Sequence, residues 1–119
     1  MKENIIKDKS YKFALRIIKL YKYLIRDKKE YVLSKQILRS GTSIGANIEE
    51  AIGGYSEKDF VAKLSVAYKE ARETKYWINL LIDSNYLEHK FADSLLKDCE
   101  EICKIASLII ITCRDNKNF

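Results

Sequence analysis

Apolar residues recur along this chain at spacings of three and four, in four separate blocks. In the first, Phe13, Ile17, Leu20 and Leu24 share one side, with Ala14, Ile18, Tyr21 and Ile25 beside them. This period predicts a helix from about Ser10 to Lys29, with the charged Asp27–Glu30 region as the connection after it. In the second block, Leu33, Ile37, Ser40, Ile44, Ile48 and Ala51 share a face, predicting a helix from about Tyr31 to Ile52. Gly53-Gly54 follows, a pair able to adopt the left-handed conformation that commonly ends helices. Ser56-Glu-Lys-Asp59 then reads as an imperfect capping box at the start of a third helix. Its seam is Phe60, Leu64, Ala67, Ala71, Thr74, Ile78 and Leu81, widened by Trp77 and Leu80 and stopped at Asp83-Ser-Asn85. The fourth block, from about Glu88 to Arg114, carries Ala92, Leu95, Cys99, Ile102, Ala106, Ile109 and Cys113 at the same spacing.

Four long amphipathic segments with short connections predict an all-α fold, an antiparallel up-down-up-down four-helix bundle. The chain has no proline and four glycines, a scarcity of breakers that suits a few long helices. No repeat, linker or low-complexity tract divides it, so residues 1–119 form one domain, with 1–8 and 115–119 expected as frayed tails. Two features exceed the needs of a single bundle. The apolar face of the first helix is broad, and Ile105–Cys113 is apolar around most of its circumference. Burial of these surfaces in a homo-oligomer is the expected consequence. A short β-strand at Ile109-Ile-Ile-Thr112 is the competing reading, because that run is β-branched.

Charge changes the picture in one place. The formal net charge is +5, but residues 1–29 hold ten Lys/Arg against Glu3, Asp8 and Asp27. That segment is +7 and the rest of the chain is −2. At about 100° per residue, Lys9, Lys12, Arg16, Lys19, Lys22 and Arg26 project as one stripe opposite the apolar face, with Tyr23 inside it. Cations on one face with an interleaved aromatic are what phosphates and an exposed base require. A solvated lysine face has the same pattern. Cys99, Cys103 and Cys113 lie among apolar residues at helical spacing and read as small buried hydrophobes, with no histidine at zinc-site spacing. No uncharged stretch reaches the ~20 residues of a spanning helix, and no apolar run follows the basic N-terminus as in a secretory signal. A cytoplasmic location is the expectation.

Chemistry of other kinds finds little support. Arg39–Ala46 is glycine-rich, but a phosphate-binding loop needs a Lys after its last glycine and a strand before the loop. His89 is the sole histidine and has no nucleophile or acid at a recognisable spacing, so it reads as a capping or surface residue. Glu70 and Glu73 form one i, i+3 acidic pair and Asp98 and Glu101 another, on neighbouring antiparallel helices. Such pairs could hold Mg²⁺ through oxygen ligands, in faint resemblance to the all-α nucleoside triphosphate pyrophosphohydrolases. Lys69, Arg72 and Lys97 interleave with them, which favours ordinary solvated helix faces. No catalytic residue, cofactor or metal is assigned.

The run from Gln36 to Ala51, with Phe13-Ala14 before it and Asp59-Phe60, Leu64, Ala67, Glu70, Glu73 and Trp77 after it, resembles the four-helix-bundle proteins encoded within 23S rRNA intervening sequences. The core of the resemblance is Arg39, Ser40, Ser43, Ile44, Asn47, Ile48, Glu50 and Ala51. It implies a single antiparallel bundle assembled as a homopentameric ring. More distantly, the chain is similar to the accessory protein of diversity-generating retroelements, a basic pentameric bundle that binds nucleic acid and a reverse transcriptase. The resemblance also bears on the polar residues of the second helix. If Arg39, Ser40, Ser43, Asn47 and Glu50 face inward they must hydrogen-bond, with Glu70 and Glu73 as partners and Arg39 paired to one of these acids. This network is read as structural or subunit-orienting. The resulting expectation is a non-enzymatic oligomer that binds RNA or other nucleic acid through Lys9, Lys12, Arg16, Lys19, Lys22, Tyr23 and Arg26. A scaffold that uses the same face to meet an acidic partner protein is the alternative, and a Mg²⁺-dependent nucleotide hydrolase a more remote one.

Overall fold

The computed structural model describes residues 2–117, with side-chain environments for residues 4–115. Among them are four helices and no strand: α1 (Lys2–Arg26), α2 (Leu33–Ile52), α3 (Glu57–Asp83) and α4 (His89–Lys117). Ile109–Thr112 is helical, so the strand reading is discarded. Helix α1 packs on α2 and α4, and α3 packs on the same two, while the diagonal pairs do not meet. The result is a square four-helix bundle measuring 52 × 22 × 21 Å. Its α1–α4 seam is the most open of the four.

The seams read from the sequence are the core. Phe13, Ile17, Leu20 and Leu24 of α1, Ile37, Ile44 and Ile48 of α2, Leu64, Ile78 and Leu81 of α3, and Leu95, Cys99 and Ile102 of α4 are all buried. Residues 2–8, expected as a tail, form the first turns of α1. Ile6 is 1% exposed and extends the seam one heptad before Phe13. Helix α4 likewise runs on to Lys117.

Close approach of α1 and α2 depends on small residues. A Cβ on Gly41 would lie 2.7 Å from Ile17 Cγ1, whereas one on Gly45 would meet Ser10 at an ordinary 3.5 Å. The turns depart from expectation at one point. Gly53 caps α2 with φ −83°, and no glycine adopts positive φ among the described residues. The left-handed ending expected at Gly53-Gly54 is therefore absent. Gly54 sits instead where space is tight, since a Cβ there would lie 3.1 Å from the Ala51 carbonyl and 3.3 Å from Asp59 Cβ. Left-handed residues instead follow α1, at Lys29 (φ 55°), and α3, at Asn85 (φ 68°), where Tyr86 N–H donates to the Leu81 carbonyl and Asn85 N–H to that of Ile82. Ser56 caps α3 as read, its hydroxyl accepting from Asp59 N–H at 3.1 Å.

Candidate nucleic-acid interface

The basic stripe of α1 exists as a face, but its two halves differ. In the N-terminal half the cations meet acids. Lys9 Nζ lies 2.8 Å from Glu101 and Arg16 Nη1 donates to Asp98 at 2.6 Å, both across the α1–α4 seam. Lys12 pairs with Asp8 one turn earlier, at 3.0 Å. The hydrogen bond to Glu101 and its negative charge hold the Lys9 ammonium above its ordinary pKa. These charges are largely neutralised from the viewpoint of an incoming phosphate.

In the C-terminal half, Lys19, Lys22 and Arg26 are exposed and have no ion-pair partner among the described residues. Tyr23 lies among them, 40% exposed. Lys28, just past the helix, places its ammonium 5.9 Å from the Tyr23 ring centroid. Across the seam, Phe91 of α4 is 44% exposed, and the Arg16 guanidinium lies 5.8 Å from its centroid. Sequence periodicity did not single out Phe91 or Lys28. Their signal was faint: an exposed aromatic near the start of the fourth block and a cation after the end of the first.

The polar residues of α2 are distributed among four separate settings rather than one buried network. Arg39 bonds both Glu70, at 3.2 Å, and Glu73, where one of the two was expected, and does so at the surface, with half of its side chain exposed. Trp77 Nε1 also donates to Glu73, at 2.9 Å. Ser40 and Thr74 are fully buried and lie 2.9 Å apart. Because Thr74 donates to the Glu70 carbonyl at 2.7 Å, the Ser40 hydroxyl supplies the proton between the pair. Ser43 and Asn47 bond carbonyls of their own helix, those of Arg39 and Ser43, and exposed Glu50 pairs with Lys63 of α3.

The two acidic pairs considered as Mg²⁺ ligands do not converge. Glu70 and Glu73 meet Arg39 of α2, while Asp98 and Glu101 meet Arg16 and Lys9 of α1. Among the described residues no group of three or more His, Cys, Asp or Glu is placed to hold a metal ion. Cys99 is buried, its thiol donating to the Ala71 carbonyl at 3.2 Å, while Cys103 and Cys113 are half-buried; all three pack with the core as read. His89, the first residue of α4, is exposed. No helix among the described residues is long and apolar enough to cross a membrane.

Comparison with known proteins agrees with this architecture. A solved structure, described as a protein of unknown function from the S23 ribosomal protein family of Bacteroides thetaiotaomicron VPI-5482, superposes with a TM-score of 0.91. It is 54% identical over 92% of this chain and 98% of that one. No curated protein matches the chain. The family model described as 23S rRNA-intervening sequence protein matches residues 2–107, and the chain belongs to that family.

Proposed function

We propose that this protein is a non-enzymatic, self-associating helical bundle that binds RNA or other nucleic acid through the C-terminal half of α1. The observation that carries this reading is the contrast along one helix face. Lys9, Lys12 and Arg16 are held by acids, whereas Lys19, Lys22 and Arg26 have no ion-pair partner among the described residues, on an otherwise nearly neutral molecule. An unpaired surface cation can take a phosphate and release counterions. An ion-paired one must first give up its acid.

The test is nucleic-acid binding across a salt series. Log affinity falls linearly with log salt, with a slope of about −0.7 to −0.9 per phosphate contact. Replacing Lys19, Lys22 and Arg26 with Gln is expected to weaken binding and flatten the slope by about two to three contacts. The same change at Lys9, Lys12 and Arg16 is expected to do markedly less. Equal effects from the two sets, or a flat salt dependence of the unmodified protein, reject the reading.

Self-association is supported by exposed apolar side chains at helical spacing. Tyr11, Leu15 and Ile18 of α1 lie exposed, as do Leu108 and Ile111 near the end of α4. Five is the subunit number that the resemblance implies. In a ring, each weak basic face would be repeated, and avidity would raise affinity without any new contact.

A further inference from the structure

The α1–α4 seam opens beside the unpaired cations into a groove of about 380 Å³. Leu20 and Leu87 lie at its base, Tyr23 and Phe91 stand along it, and Lys19 and Glu88 complete the lining. A second groove of about 340 Å³ adjoins it and shares Tyr23, Leu87 and Glu88, adding Lys28 and His89 among its lining residues. Tyr23 is thus common to both recesses. We infer that these grooves receive unpaired bases of a single-stranded nucleic acid, stacked on Tyr23 and Phe91, with the strand's phosphates held by Lys19, Lys22 and Lys28.

Three properties support this occupant. First, both rings are substantially exposed although apolar contacts lie beside them in the seam, so aromatic faces remain available to a flat partner. Second, a cation lies near 6 Å on one side of each ring, ion-paired Arg16 at Phe91 and Lys28 at Tyr23, which leaves the opposite face of each ring for a base. A base stacked on the open face of Tyr23 brings its own phosphate toward Lys28. Third, Glu88 is the acid in both linings. It repels phosphate from the α4 side, which turns the backbone toward α1, and its carboxylate can accept only from a donor such as a base amino group. A duplex does not meet these demands, because its base faces are already stacked. Aromatic platforms beside a basic track are the general solution for single strands.

This inference rests on the basic-face reading, and the experiment separates the two. Full-length protein is titrated into labelled single-stranded RNA of about 16 nucleotides, DNA of the same sequence, and the corresponding duplex. The single strands are expected to bind more tightly than the duplex. Tyr23→Ala and Phe91→Ala are each expected to weaken single-strand binding about 10-fold, leaving duplex binding and the salt slope unchanged. Tyr23→Phe, which keeps the ring, is expected to bind as the unmodified protein does. An unchanged thermal melt for each variant ties any loss to the ring rather than to folding. Either order of RNA and DNA supports the proposal and identifies which strand is preferred. Undiminished single-strand binding by the Tyr23→Ala, Phe91→Ala double variant overturns the stacking proposal while leaving the basic face standing. So does a loss of equal size on the duplex. Absence of binding to all three probes overturns both.

Discussion

Glu30 lies three residues before α2 begins, and its carboxylate caps that helix. Oε1 accepts from Ser34 N–H at 2.7 Å and Oε2 from Val32 N–H at 3.2 Å. The side chain is buried, which acts to raise its pKa. Hydrogen bonds from the backbone of Ser34, Leu33 and Val32 outweigh that effect and hold it below the ordinary value. A depressed folded-state pKa stabilises the protein fully above the unfolded value near 4.5, and that stability is lost as pH falls through the folded value. Glu30→Ala is therefore expected to cost about 1–2 kcal/mol in urea unfolding near neutral pH. The gap from the unmodified protein is expected to narrow at about pH 3. This cap was hidden in the sequence, because helix starts are marked by Ser, Thr, Asp or Asn at the capping position, and Val32 occupies it here. The sequence offered Glu70 or Glu73 as a partner for an inward-facing Arg39; the structure has Arg39 at the surface and bonded to both, because the two acids stand one turn apart on α3. The other polar groups of α2 misled. Ser43 and Asn47 bond carbonyls of their own helix, a choice always open to short polar side chains.

Helical periodicity gives a face, but not what lies across from it. The stripe on α1 could be read from spacing alone, as could the four seams. That Asp98 and Glu101 would neutralise its first half could not, since the α1–α4 register depends on turn geometry and on side-chain packing in both helices. The early start of α1 left a trace in the sequence, because Ile6 stands seven residues before Phe13 and Phe13 seven before Leu20. Gly41 and Gly45 lie one turn apart on α2, and their surroundings differ. At Gly41 a methyl group would strike Ile17, whose β-branched side chain has little rotameric freedom in a helix. Gly41→Ala is expected to lower stability by about 1–3 kcal/mol, the overpacking cost outweighing the gain in helix propensity. At Gly45 the new methyl makes ordinary contacts with Ser10, so propensity prevails and Gly45→Ala is expected to add up to about 1 kcal/mol. Denaturant midpoints of the two variants, shifting in opposite directions, check the assignment.

At the scale of the whole molecule, the bundle satisfies its core and still leaves apolar side chains in water. Leu15 is 47% exposed, with Tyr11 and Ile18 at the adjoining helical positions, on the α1 flank that lies away from Lys9 and Arg16. Leu108 and Ile111 are exposed near the end of α4, and Ile5 is exposed near the start of antiparallel α1. The breadth of these faces was legible as an excess of apolar positions over what one core requires. Which of them would meet a second copy in the proposed assembly was not, because a single sequence carries no separate signal for inter-chain contact. The α1 flank is the stronger candidate, since three large side chains there follow one helical line. A charge placed in a buried interface would have to be desolvated without a partner, whereas on a free surface it costs little. Leu15→Glu is therefore expected to shift the mass measured by light scattering toward the 13.9 kDa monomer while leaving the helical circular dichroism intact. In the proposed ring, separating the subunits removes avidity, so Leu15→Gln, which avoids an acid one turn from Lys19, is expected to separate them too and to bind nucleic acid at least 100-fold more weakly. If the unmodified protein already runs as a monomer, the apolar flank needs another occupant. If Leu15→Gln separates the subunits without loss of affinity, a single basic groove is sufficient for binding.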